Sequence, residues 1–396
     1  MAEDQASDLD ELADYLPFQP SVPEGPSRRE FKPWHKPRKH YLRTRQWAKE
    51  VEELLDTMSF PPDSRSFRYL TLPSEDMLDI RLLRDSLRPR NLRLKYLGFF
   101  WAQNGKPEDI RMNISENDVQ SAEDIDDTSL VIREKIQSIG DTNGFGFKEF
   151  QKHAPFHAIN LDLCDHFAAP SIDRRSALVQ VVHNIADVQC KRSRDEWLLF
   201  ITSRIDSEYF SKDYAEAFRN AILLNFEKSD QFQKLTLEIL EGEGPEIVDE
   251  FVADLTQVHP ARIRDFFCIG FGKWLLRLLG SSTPAATVEM RPSYFYSVNE
   301  GPDMLSLAYR FTPRVTGVSD SFGIASGNEP LPHDTADVEE LNMAFKLIEN
   351  THGLLDVDDL LYRRQDLMLE LASETKKYLE EAKYDVATYD EYFGIL

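Results

Sequence analysis

The run from Ile159 to Asp165 reads INLDLCD, and in an extended chain Asn160, Asp162 and Cys164 fall on one face. Polar side chains in a run that otherwise reads as buried are costly unless they are paired or open onto a site. A carboxylate in that position could orient a substrate nucleophile or take its proton, which singles out Asn160, Asp162 and Asp165 as groups that could line a site. The same groups could instead cap the strand end and bond neighbouring backbone. A second cluster, Pro73-Ser74-Glu75-Asp76, follows one apolar run and precedes a helical one. Ser74 or Asp76 suits a helix N-cap there, and Glu75 and Asp76 also offer acids to a ligand at a strand end. The turn has no glycine to let backbone approach a ligand closely.

A third stretch, Arg28 to Arg45, holds eight Lys and Arg residues against Glu30, with Trp34 and Tyr41 interleaved. Lys36, Arg38, Lys39, Tyr41, Arg43 and Arg45 are its candidate nucleic-acid contacts, cations for phosphates and a ring for stacking. The segment could equally pair with acidic parts of the same chain, or stay solvated.

The elements that must position these groups follow from hydrophobic period. Short apolar runs predict strands at Phe67–Leu72, Leu94–Phe100, Lys135–Ile139, Phe156–Leu163 and Trp197–Thr202. Helical stretches separate most of them, at Asp76–Leu87, Glu116–Ile125, Lys148–Lys152 at least, and Ile172–Val188. This alternation predicts right-handed crossovers and a parallel, Rossmann-like α/β sheet. The chain before it divides into a flexible acidic and Pro-rich tail to about residue 30, with a short helix near Leu9 to Tyr15, then a basic arm and a helix over Leu42–Met58. After residue 207 the pattern turns helical to about 280. Two β-rich runs, Ala286–Asn299 and Asp303–Arg314, then predict an antiparallel hairpin across Glu300, Gly301 and Pro302. The sheet domain so defined spans about 65–315; a linker over 316–336 and acidic helices over 337–396 complete the chain, the latter a candidate docking surface for a partner protein.

Composition narrows the function classes. At 396 residues and 41% hydrophobic the chain can bury a full core. A formal net charge of −23 argues against nonspecific coating of nucleic acid, leaving the basic stretch as the exception. With three scattered cysteines there is neither a disulfide framework nor a structural zinc set, and no metal site is predicted. His153 and His157 are separated by Pro155, which breaks the helix that would join them. No run is apolar enough to span a membrane, and the acidic start is unlike a secretory leader, so a cytoplasmic location is expected. The Gly-x-Gly pairs in GFGFKEF and IGFGKWLL do not follow strands as a dinucleotide fingerprint requires, and no phosphate loop or hydrolase elbow is present.

The order of elements resembles class I S-adenosylmethionine-dependent methyltransferases, whose last strand runs antiparallel between its neighbours. YLTLPSEDMLDIRLL, HAINLDLCD, WLLFITSR and the pair SYFYSV and MLSLAYRF carry the likeness, which is nearest to divergent bacterial three-Cys-motif partner-type proteins found near phage-defence or mobile-element genes. The resemblance implies S-adenosylmethionine as cofactor, held by Pro73, Ser74, Glu75, Asp76, Trp101 and Asp141, with Asp162, Asn160 and Asp165 as the candidate catalytic residues at the fourth strand's end. The family's ribose acid is absent, since the second strand ends GFFWAQNG, where Trp101 or Gln103 would have to substitute. Two functions follow as expectations: a divergent methyltransferase acting on nucleic acid in a bacterial defence setting, or an inactive methyltransferase-fold scaffold or sensor that binds a partner in a defence operon.

Overall fold

The computed structural model describes residues 29–61, 65–171, 173, 175, 177–280, 286–298, 303–314 and 333–395. Its centre is an eight-stranded sheet in the order β3-β2-β1-β4-β5-β7-β6-β8. The strands are β1 (Ser66–Thr71), β2 (Arg93–Phe99), β3 (Leu130–Ile132), β4 (Ala158–His166), β5 (Trp197–Arg204), β6 (Ala286–Tyr296), β7 (Met304–Pro313) and β8 (Leu355–Asp356). The first five pair in parallel, and β7 runs antiparallel between β5 and β6. The Rossmann-like, mostly parallel sheet with a C-terminal antiparallel pair is therefore the fold that the alternation of strand and helix implies. Chain order reverses between β1 and β4, so the crevice at the carboxyl ends of these strands is where an open α/β sheet accepts ligands.

Helices cover both faces because strand residues alternate. Leu198 and Phe200 of β5 face one core, while Trp197, Leu199 and Ile201 face the other. The first core is closed by α1 (Pro37–Tyr41), a π-helical stretch Leu42–Ala48 that runs on into α2 (Lys49–Thr57), α3 (Leu78–Leu87) and α4 (Pro107–Gln120). The second lies under α5 (Phe145–His153), α6 (Leu178–Arg192) and the helical excursion α7 (Lys212–Phe226), α8 (Asp230–Ile239), α9 (Ile247–Ala253) and α10 (Pro260–Gly280), joined by α11 (His333–His352). After β8 come α12 (Val357–Arg363), α13 (Gln365–Glu381) and α14 (Tyr389–Phe393). Phe31 packs with α13 and α14 residues in a third, smaller cluster.

Several boundaries differ from the sequence reading. The third strand is Leu130–Ile132, and Lys135–Ile139 is instead a 3₁₀ turn over Ile136–Gly140. The buried pair Ile136 and Ile139 is spaced three apart, the period of that turn, and a three-residue edge strand is too short to show a period of two. The second crossover helix starts at Pro107, well before Glu116, because a proline is favoured at a first helical position. The fourth starts at Leu178 rather than Ile172. The N-terminal helix starts at Pro37, five residues early, and ends at Thr57. The tail to residue 28, the hairpin turn at Glu300, Gly301 and Pro302 and most of the 316–336 linker lie outside the described residues.

IGFGKWLL lies inside α10, and its glycines serve packing. A Cβ on Gly270 would come within 2.4 Å of Phe218 on α7, and one on Gly272 within 2.4 Å of Leu347 on α11.

Candidate functional site at the crevice between the first and fourth strands

The turn after β1 bends through Met77, whose φ of 54° lies in the left-handed region that a side chain rarely adopts. This bend directs Asp76 inward, where it is wholly buried. Three donors of the chain converge on its carboxylate: Trp34 Nε1 at 3.2 Å, His35 Nε2 at 2.8 Å and Tyr384 Oη at 2.6 Å. His35 Nδ1 accepts from the Lys32 backbone N–H, so the ring is the neutral tautomer that donates from Nε2. Burial lowers the His35 pKa. Burial pushes the Asp76 carboxyl up, but the hydrogen bonds from His35, Tyr384 and Trp34 reverse this and hold it below the usual carboxylate range. Neither Ser74 nor Asp76 caps α3, whose N-cap position is Met77 with no side-chain hydrogen bond. Asp76 is drawn instead to partners far away in sequence.

The close approach missing from the turn is supplied opposite it. A Cβ on Gly98 of β2 would meet Pro73 Cγ at 3.0 Å, so the glycine lets Pro73 settle on the strand. Glu75 is buried and paired with Arg111 Nε at 2.8 Å. All three are thus engaged by the chain's own residues, and Ser74 contributes its carbonyl to the turn, accepting from Met77 N–H.

The polar face of β4 is answered in the same manner. Asn160 Nδ2 donates to Tyr69 Oη at 3.0 Å, and Asp79 accepts from both Tyr69 and Thr71. Lys39 Nζ lies 2.5 Å from Asp162 Oδ1 and 3.4 Å from Tyr296 Oη. Burial pulls the Lys39 ammonium down, but the Asp162 and Tyr296 oxygens more than offset it, so Lys39 stays charged. Thr202 on β5 pairs with Ser306 on β7, and Gln46 bonds both the Ser306 side chain and its carbonyl. The helix from Pro37 to Thr57 therefore lays one polar residue after another on a polar row across the sheet. Beyond the irregularity between Asp162 and His166, Asp165 is exposed and apart from this network.

Of the remaining predicted ligand contacts, Trp101 is 59% exposed, with Lys135 Nζ 4.6 Å from its ring centre. Gln103 is also exposed. Asp141 accepts from Asn143 N–H within its own turn. The crevice brings Asp76 and Asp162 under one covering segment, and leaves Trp101, Asp141 and Asp165 outside the hydrogen bonds that close it.

That covering segment is the basic stretch. Lys39, Tyr41 and Arg43 are buried rather than displayed, and Arg43 Nη1 donates to the Trp34 carbonyl. Arg38 binds Asp358 of α12 at 2.9 Å, Arg45 binds Glu370 of α13 at 2.6 Å, and His40 Nε2 lies 3.2 Å from Glu374. Lys36 is partly exposed. Intramolecular pairing with the acidic C-terminal helices is the alternative that the geometry realises. It also locks α13 down at its other end, where Arg81 and Arg84 of α3 share Glu381.

The chain belongs to the PP_RS20740-like family. The match covers residues 28–394. No curated protein matches the chain. The family span runs from just before Arg29 to just after Phe393, so in this PP_RS20740-like chain both segments that meet on Asp76 are part of the family unit and neither is an appendage to it. His35 and Tyr384 were the residues sequence reasoning missed. His35 sits in the KPWHK part of the basic stretch, where an aromatic beside a histidine was a usable signal; Tyr384 had none, being 308 residues from its partner.

Proposed function

We propose that this chain is a non-catalytic, methyltransferase-fold scaffold or sensor subunit that binds a partner protein, with the defence operon that the resemblance implies as the source of that partner. The observation that carries the reading is Asp76, the acid best placed to hold a cofactor, which accepts three hydrogen bonds from its own chain and is shut off from solvent. Under this reading the residues as they stand do not suit S-adenosylmethionine, because Asp76 is engaged by Trp34, His35 and Tyr384 and Glu75 by Arg111. Asp162 is likewise no free base, since Lys39 neutralises it.

The retained acids have a purpose under this reading. A carboxylate at a strand end that would grip a cationic ligand grips Lys39, and one that would grip an adenosyl group grips Trp34 and His35. Titrating S-adenosylmethionine and S-adenosylhomocysteine into the wild-type chain by calorimetry tests the reading. No heat is expected up to millimolar ligand; micromolar binding that Asp76→Ala abolishes would overturn it.

A further inference from the structure

Residues Arg29 to His35 are held as a bound peptide is held, and not as a core helix is. Arg29 to Lys32 has no regular secondary structure, and only Pro33–His35 forms a short turn. Its backbone carbonyls are read by side chains from elsewhere: Tyr392 Oη donates to the Phe31 carbonyl at 3.2 Å and Tyr389 Oη to the His35 carbonyl at 2.6 Å. The Phe31 ring lies parallel to Tyr384 at 6.0 Å and edge-on to Tyr389 at 5.4 Å. Arg29 reaches the Ala382 carbonyl at 2.7 Å, with its guanidinium over the Tyr384 ring. Side chains of Trp34 and His35 then anchor on Asp76. The groove offers aromatic walls, hydroxyl donors to the bound backbone and a buried acid for the segment's Trp34 and His35. The cluster is separate from the two large cores.

We propose that the groove formed by Asp76 with Tyr384, Tyr389 and Tyr392 is a recognition site for basic, aromatic linear peptides, and that Arg29–His35 is its tethered occupant. A partner protein carrying such a segment would bind by exchange. Covalent attachment presents the resident segment at an effective concentration of order millimolar, so an outside peptide competes poorly until the resident one is weakened. The inference rests on the non-catalytic reading and names the class of partner for it.

The probe is a fluorescein-labelled peptide of residues 28–41, followed by anisotropy against the full-length chain. Phe31→Ala with Trp34→Ala weakens the occupant and leaves the groove intact. That variant is expected to bind the peptide at least tenfold more tightly than wild type does, and a peptide with the same two alanines is expected not to bind. Where the double variant does not fold, Phe31→Ala alone carries the comparison. A folded variant that binds the peptide no better than wild type, or binds both peptides equally, overturns the proposal. The two readings fail separately: adenosylmethionine binding overturns the scaffold whatever the peptide does, and absence of exchange leaves the scaffold standing without this groove.

Discussion

Replacing Asp76 by alanine removes one acceptor and strands three donors, Trp34 Nε1, His35 Nε2 and Tyr384 Oη, in a site closed to water. Each buried unsatisfied group costs of order 1–3 kcal/mol, and some relaxation is expected, so the loss of stability should be about 3 kcal/mol by urea unfolding. A catalytic acid gives the opposite result on removal, because active-site carboxylates are commonly held at a cost to the fold. An unchanged or raised midpoint for Asp76→Ala would therefore speak against an anchoring role. The sequence makes the residue type legible at this position but not its use. An acid after the first strand of a Rossmann-like sheet reads the same whether it awaits a ligand or holds a tyrosine 308 residues away.

Among the elements, α10 decides how the helical excursion seats on the rest. Alanine is the better helix former than glycine by about 1 kcal/mol, so Gly272→Ala would stabilise an isolated helix. Against this, its Cβ at 2.4 Å from Leu347 Cδ1 forces α10 and α11 apart or Leu347 off its rotamer, and overpacking typically costs about 1–3 kcal/mol. The steric term wins, and Gly272→Ala is expected to lower the thermal midpoint; a rise would show that Leu347 repacks freely. The Gly-x-Gly in this run was legible as something other than a nucleotide fingerprint, because no strand precedes it, yet the neighbours it makes room for, Phe218 and Leu347, come from helices distant in sequence on either side. The same limit applies to the basic stretch. Its charge was plain in the sequence, and the choice between solvent, nucleic acid and the acidic helices was not, since Asp358, Glu370 and Glu374 become neighbours only when the chain closes on itself. By contrast, four of the five parallel strands were legible to within about three residues at either end, since buried runs such as WLLFIT are continuous and bounded. The third strand was lost because an edge strand of three residues has no period to read.

At the scale of the whole molecule, buried histidines set the response to acid. Burial lowers His157 and His166 to about 4, and each accepts a backbone N–H at Nδ1, from Arg68 and Ala168 respectively, that a proton would displace. His35 and His40 shift in the same direction, again through burial first. A histidine depressed in the folded state binds its proton more readily when unfolded, so its contribution is complete above the ordinary value near 6.5 and drains away as pH falls toward the folded value. From the two values near 4, stability should fall by about 2 kcal/mol for each of His157 and His166 between pH 7.5 and pH 5. Urea unfolding at the two pH values checks this, and His157→Gln should remove its share of the difference. A flat profile would mean that these imidazoles are as accessible folded as unfolded.

The meeting of the first and last described segments has a mechanical side. The Phe31 and Phe393 rings sit 5.8 Å apart, and Arg29 bonds the Ala382 carbonyl, so the first and last described segments touch beside the first strand. Tension drawn between Arg29 and Phe393 falls first on these aromatic contacts and on the bonds to Asp76, and it reaches the parallel strands only after they part. The junction acts as a mechanical fuse that carries load past the sheet: it sets the force at which the molecule starts to yield, and the core behind it sets how far that yielding goes.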